Sequence, residues 1–386
     1  MDSGARSNDG RLATTLSRVV GAVRPHWDAH SSALFVVVAV SVTLFRIYAC
    51  TQLPVNTGDV LRHLHYGLLV AQRGLSTASL PLVQISPLYS NVVWNHIPYN
   101  YPVVTLLFFT LVARILPTVF FAKLALTCLE AASSLLILRY SRDKWLALLY
   151  WISPISVWWV SHEGQFESLQ SFLVILALLL LSKRRFSSSL LLLALAVQVK
   201  LSAVLLLPFF VLSIRRQIGP LRYAASLTLG LAPSAFVFLS HPALFRAMSY
   251  SSSLRFNPYY WNFTDLTIFM WMNYHKWLIV CNQIASYTVL ALLLYIAINQ
   301  KRVLELLAPV AFLALVKTLR NVQFWYLELF PSFVLPLRNL RMRRLLFFLT
   351  PLLDVYSMSL CLVSSLGFHG SFFINVTPFT VLRSLI

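Results

Sequence analysis

Charge is what this sequence has least of, and negative charge above all. Among 386 residues only 11% are charged, with 12 Asp and Glu against 31 Lys and Arg. A soluble domain carries about 25% charged side chains, so a water-facing globular surface is excluded. Cysteine is also scarce. Cys50, Cys128, Cys281 and Cys361 lie far apart, in or beside apolar runs, and make no CxxC pair. That spacing argues against both a metal site and a disulfide framework. What abounds instead is apolar surface: 58% of residues are hydrophobic and the mean hydropathy is +0.74. A core built from this length of chain cannot hide that much apolar area from water, so the chain uses lipid as a solvent. The net charge of +19 would suit a nucleic-acid binder. Its distribution does not, because the basic residues sit in short clusters between apolar runs, the pattern of cytoplasmic loops. Nucleic acid is therefore set aside as a partner, and membrane lipid takes its place.

The hydropathy pattern predicts an all-α polytopic membrane protein of about 10–12 transmembrane or membrane-dipping helices, by the length rule for spans. Residues 1–30 form a polar, mildly basic segment carrying Arg6, Arg11, Arg18 and Arg24, and 31–386 form one membrane domain. No cleavage pattern precedes the first span, which is expected to stay as an anchor. Spans are expected near 31–50, 119–138, 145–160, 168–182, 187–199, 202–214, 223–240, 277–298, 303–318 and 345–363, with further apolar helices at 102–117 and 328–338. Several fall short of a full crossing, and Pro154, Pro208 and Pro331 predict broken or tilted helices. Basic clusters at Arg139–Lys144, Lys183–Arg185, Arg215-Arg216, Lys301-Arg302 and Arg338–Arg344 place those loops and the N-terminus inside. The outer side then holds 51–101, 161–167, Lys200, 241–276 and 319–327. For this arrangement to close, 102–117 must dip into the outer leaflet without crossing.

The outer segments carry the polar chemistry. The first contains Gly58-Asp59 followed by Arg62, His63 and Tyr66, which share a face at helical spacing. A carboxylate beside cations at a membrane surface suits proton abstraction next to a held phosphate; an acid at this point also suits a helix N-cap. The same loop ends in Trp94-Asn-His96-Ile-Pro98-Tyr99-Asn-Tyr101-Pro102, part of which fits an interfacial aromatic belt. Ser161-His162-Glu163-Gly164-Gln165-Phe166-Glu167 puts two carboxylates, a His and a Gln between apolar spans. Near lipid that is costly and marks a functional surface; well outside it, an ordinary polar turn. Lys200 stands alone between short apolar segments, where it must snorkel or meet an anion. Lys317, Arg320, Asn321, Gln323, Trp325 and Tyr326 crowd the last outer turn.

Taken in order, Gly58-Asp59, Tyr99-x-Tyr101-Pro102, His162-x-Gly164-Gln165-Phe166-Glu167, Lys200 and Gln323-Phe-Trp325-Tyr326-Leu-x-x-x-Pro331 resemble the GT-C glycosyltransferases that use a polyprenyl-phosphate sugar as donor. The likeness is nearest to bacterial membrane enzymes with a Gly-Gln-Phe-Asp turn followed by a Lys. It is more distant to the first mannosyltransferase of GPI assembly and to the dolichol-phosphate-glucose enzymes of N-glycan assembly. It covers roughly residues 40–340. The resemblance implies a GT-C-like fold with a catalytic first outer loop and an inverting hexosyl transfer, mannose favoured. The donor would be a polyprenyl-phosphate sugar and the acceptor a glycan, a lipid-linked glycan or a protein. Asp59 falls at the general base. Lys200, Arg320 and Arg62 are candidates to hold the donor phosphate, and His63, Tyr101, His162, Glu163, Gln165 and Trp325 to line the substrate. Departures exist: Asp59 is followed by Val60 and Leu61 where the GPI enzyme has Asp-x-Asp, Glu167 stands for Asp, and Leu201 for the common Pro after the Lys. A single acid does not make a metal site, so no metal or other cofactor is expected. The bacterial plasma membrane is the expected location, with the endoplasmic reticulum as the alternative. A transporter or lipid flippase is the competing reading, followed by a non-catalytic subunit of a membrane complex.

Overall fold

The computed structural model describes residues 32–54, 58–87, 92, 94–215, 217–253, 276–299, 303–313 and 330–350, and among them every regular element is helical. The chain divides into two compact units, 1–45 and 46–386. Of the first, only the opening stretch of one apolar helix is described; the second holds all the remaining elements. The expected polar segment 1–30, residues 254–275 of the expected outer stretch 241–276, and the turn holding Arg320 and Trp325 lie outside the described residues.

In chain order the elements are α1 (Ser32–Thr51), α2 (Gly58–Arg73), a 3-10 turn (Leu75–Ser79), α3 (Leu82–Ile85), α4 (Val103–Ile115), α5 (Val119–Ser141) and α6 (Lys144–Trp151). A π-helix (Ser156–His162) leads into α7 (Glu167–Ser182) and α8 (Phe186–Val197). Then come a 3-10 turn (Leu201–Leu206), α9 (Leu207–Ile214), α10 (Pro220–Ser240), α11 (Pro242–Ser253) and α12 (Lys276–Asn299). A 3-10 turn (Val303–Leu306), α13 (Leu307–Leu313), α14 (Phe330–Val334) and α15 (340–350) complete them.

Three of these helices, α1, α5 and α10, are long and apolar enough to cross a membrane. The π-helix and α7 pass the same test as a pair bent by 117°. This is the composition of an all-α membrane protein. One expected span is corrected. The run 145–160 is not one helix: α6 stops at Trp151 and winding resumes at Pro154, passing into the π-helix at Ser156, because Pro154 cannot continue the α6 ladder but can open a new one. The short segments expected at 187–199 and 202–214 appear within two residues of those bounds, as α8, of 12 residues, and as a 3-10 turn joined to α9, of 8, over Leu201–Ile214. At 1.5 Å per residue, 12 residues rise only about 18 Å.

Local chemistry sets the boundaries. Thr118 caps α5 by accepting from the Phe121 amide at 3.2 Å, and Asp143 caps α6 by accepting from Trp145 at 3.0 Å. Helix α7 is buried on nearly every face, packed between α5 and α8, with α8 in turn against α10. The α2–α4 pair is close because Gly67 lacks a side chain: a Cβ there would come 2.4 Å from the Phe109 carbonyl oxygen.

Polar contacts sort the loops into two groups. Asp143 pairs with Arg344 at 2.6 Å, Glu305 with Arg338 at 3.8 Å, and Arg215 donates to the Ile298 carbonyl at 2.7 Å. These join basic loops that the charge pattern assigns to one side. The other group joins Lys123 to the Gln52 carbonyl at 2.6 Å, the Val104 amide to Gln198 at 3.2 Å and Thr105 to Val199 at 2.9 Å. Helix α4 begins against this second group, and its far end leads into α5, whose first turns hold Lys123. A 13-residue helix rises about 20 Å, short of the about 30 Å of a full crossing.

Candidate functional site

The bend between the π-helix and α7 is built from unusual backbone. A π-helix widens the turn and is frequent at functional sites. It delivers Ser161, His162 and Glu163 into the interior, all buried. Gly164 then adopts φ +76°, the left-handed region that favours glycine. A Cβ at Gly164 would lie 2.7 Å from Val60 Cγ2 and 3.1 Å from Lys123 Cγ. The turn therefore presses on α2 as only glycine allows, and this seats Gln165 beside Asp59.

Gln165 Nε2 donates to Asp59 Oδ2 at 3.0 Å, across 106 residues of sequence. Asp59 is half-buried and lies inside the first turn of α2, so the bond that holds its carboxylate is a tertiary one. Two residues after Gln165, the buried Glu167 forms an ion pair with Lys200. Lys200 thus meets an anion. Its ammonium also stands over the Phe166 ring, 5.4 Å from the centroid. The lysine is held in place by Gln170, which donates to the Lys200 carbonyl at 2.5 Å and accepts from Ser202 Oγ at 2.8 Å. Asp59 and Lys200 both act electrostatically on Glu167, so α2, the α7 turn and the loop after α8 meet at one place.

An aromatic wall backs this cluster. His63, fully buried, stacks on Phe109 at 4.9 Å and meets Tyr101 at 4.8 Å and Phe166 at 4.9 Å edge to face. Its Nδ1 bonds the Tyr99 hydroxyl at 3.1 Å. Burial, with Arg62 and Lys200 nearby, holds its pKa well below the usual histidine range, so the ring is neutral. Burial pushes the Tyr99 phenol well up and Tyr66 to about 12, so both remain protonated donors.

The other expected residues are placed as follows. Arg62 is buried and donates to Asn100 Oδ1 at 2.9 Å and to the Pro98 carbonyl at 2.7 Å. It ties α2 to the Tyr99–Tyr101 segment, and its guanidinium is largely spent on the protein itself. His162 bonds Glu163 Oε1 through Nδ1 at 2.8 Å and stacks on Trp158 at 4.4 Å. This pair precedes Gly164 in the chain, and Gln165 follows it.

Sequence reasoning missed a second buried network. Arg46, fully buried in α1, donates to the Trp151 carbonyl at 2.7 Å, Ser156 Oγ at 2.9 Å and Ser161 Oγ at 2.9 Å. It fills the gap that Pro154 opens between α6 and the π-helix. Ser156 in turn donates to Glu130 at 2.5 Å, and Tyr150 donates to the same carboxylate at 2.8 Å. The signal was present: Arg46, Lys123 and Glu130 each interrupt an apolar run, which is costly in lipid without a partner. A second insertion lies at Pro233 of α10. There Gln198 donates to the Gly230 carbonyl and accepts from the Ser234 amide at 2.9 Å, replacing one step of the helix ladder.

Among the described residues no three His, Cys, Asp or Glu come together as a metal cluster. Compared with family models, with curated proteins and with solved structures, the chain matches none. Its chemistry therefore rests on this arrangement: a half-buried carboxylate, a buried Lys–Glu pair, a neutral imidazole and an aromatic wall.

Proposed function

We propose that this chain is an inverting glycosyltransferase of the GT-C kind. In this reading it moves a sugar, mannose favoured, from a polyprenyl-phosphate donor to an acceptor on the extracytoplasmic face. It is a multi-pass protein of a bacterial plasma membrane, with the endoplasmic reticulum as the alternative. The observation that carries the reading is the convergence of Asp59, Gln165, Glu167 and Lys200, drawn from three distant segments onto one turn. Asp59 takes the proton of the acceptor hydroxyl. The oxygen attacks the anomeric carbon from the face opposite the phosphate, and the carbon–oxygen bond to the lipid phosphate breaks. The leaving phosphate gains negative charge, which Lys200 offsets as it develops. Gln165 aims the carboxylate, and Tyr101 and Phe166 offer an apolar wall to the lipid or the sugar face.

The bent pair and the buried Arg46–Glu130 network also suit a substrate path, which keeps a transporter as the second reading. One experiment separates them. Membranes holding the chain are supplied with a panel of polyprenyl-phosphate sugars, and both sugar transfer and lipid translocation are followed. Transfer with inversion, lost in Asp59→Asn, supports the enzyme. Translocation without any transferred product overturns it.

A further inference from the structure

Two adjacent residues that open α7 carry buried polar atoms without a hydrogen-bond partner, Glu167 Oε2 and Ser168 Oγ, and so does His63 of α2 at Nε2. The His63 ring contacts Phe166, the residue before α7. Buried polar groups are nearly always paired, so neighbouring orphans beside the Lys200 ammonium suit a ligand group. The first turn of a 16-residue helix adds amides that lack intrahelical partners and favour negative charge. Lys200 supplies a full positive charge at the same point, already matched by the Glu167 carboxylate.

Resting on the transferase reading, we propose that the α7 start with Lys200 and Ser168 receives a monoanionic prenyl phosphodiester, that Glu167 is the resident anion it displaces, and that each binding event takes up one proton on Glu167. Lys200 cannot neutralise two buried anions. When the diester takes its ammonium, Glu167 is left among buried groups beside Asp59, and an uncompensated carboxylate there is strongly disfavoured. Protonation removes the charge and leaves a hydroxyl that can donate to the new phosphate. Asp59 is the nearest other carboxylate, but it is only half-buried and keeps its bond from Gln165, so its charge is better supported than that of Glu167; no other nearby group offers the proton an equal site. His63 sits between two cations. His162 and Glu163 bond each other. On α5, Lys123 is held by the Gln52 carbonyl and Glu130 by Tyr150 and Ser156. Helices α8 and α14 bring no titratable side chain.

The test is binding of farnesyl methyl phosphate, whose single charge is fixed, to the full chain in phospholipid-free detergent. Calorimetry in two buffers of different ionisation enthalpy counts protons at pH 7.5. Wild type should take up about one proton per bound diester, with affinity falling as pH rises, by up to about tenfold per pH unit. Glu167→Gln should bind more tightly, take up no proton and show flat pH dependence. Lys200→Ala should no longer prefer the diester over farnesyl methyl ether. A wild-type count of zero overturns the proposal even if no variant folds. Dihexanoylphosphatidylglycerol binding equally well overturns the prenyl assignment in favour of a general headgroup site. Because the assay needs no turnover, proton-coupled binding without sugar transfer would sink the transferase reading alone, and transfer without proton uptake would sink this one alone.

Discussion

Replacing Asp59 by Asn removes a proton acceptor while sparing almost everything else that the residue does. The bond from Gln165 Nε2 survives, since the Asn side-chain oxygen accepts as a carboxylate oxygen does. What changes is its strength. A bond to a charged acceptor is worth about 1.5–3 kcal/mol and a neutral one about 0.5–1.5, so the loss is about 1 kcal/mol. Half-burial at a first helical turn adds the loss of a favourable dipole contact, about 0.3–1 kcal/mol. The expected cost in stability is thus about 1–2 kcal/mol, with insertion and donor binding retained. Turnover should fall ~10²–10⁴-fold if the carboxylate is the base. A second variant sharpens the test. Gln165→Leu should lower turnover by misaiming the carboxylate, yet add little on top of Asp59→Asn, because residues acting as a unit are strongly non-additive. Single-turnover transfer from a polyprenyl-phosphate sugar, measured beside donor affinity and thermal midpoint, reads all three quantities. Wild-type turnover in Asp59→Asn would remove this residue from the chemistry. Strictly additive losses in the double variant would remove Gln165 as its positioning partner.

Gly164→Ala should cost about 2–5 kcal/mol, combining left-handed backbone strain with overpacking against Val60. Adding Val60→Ala should restore only the packing share, read as a partial recovery of the thermal midpoint; full recovery would mean that φ +76° carries no strain. His63 is buried neutral, its pKa depressed in the fold. The unfolded chain therefore binds a proton below about pH 6.5 that the native chain refuses, and stability should fall by up to ~1.4 kcal/mol per pH unit below that point. His63→Phe should flatten that acid limb in denaturation curves between pH 5 and 7. Arg46→Met leaves the Trp151 carbonyl, Ser156 and Ser161 short of a donor, and should cost about 3–5 kcal/mol; a thermal midpoint equal to wild type would show the network to be dispensable.

The fold was legible where one physical force dominated. Apolar runs at 31–50, 119–138 and 223–240 reappear as α1, α5 and α10, because lipid demands length and hydropathy together. Loop grouping was legible too: the basic clusters around Asp143 and Arg344 meet through an ion pair, and the outer motifs meet through Asp59 and Gln165. Pro154 announced a break but not its form. Hydropathy does not register that a guanidinium from α1 and a serine relay to Glu130 fill it, nor that the chain resumes as a π-helix. Boundaries near 187–214 were legible as well: α8 at Phe186–Val197 and the apolar stretch Leu201–Ile214 fall within two residues of the expected bounds. Helices enclosed by other helices do not have to match the lipid thickness, so their apolar length says little about crossing.

Within the site, residue type was readable and pairing was not. Lys200 looked like a cation waiting for a phosphate, and Glu167 like a conservative change within a motif. The structure joins them, which turns two separate features into one device. A lysine left bare in this buried corner would itself be disfavoured as a charge. The glutamate keeps it ionised and aimed until a competing anion arrives. The same logic explains why Arg62 and Lys200, close in space and both cationic, take different parts. Arg62 faces the backbone carbonyls of Ile97 and Pro98, neutral groups that no anion displaces at equal charge, so it is fixed as a tie. Lys200 faces a carboxylate, which a phosphodiester can replace charge for charge and which a proton can silence. Of the two cations, only the one with an exchangeable partner is fitted to meet a substrate.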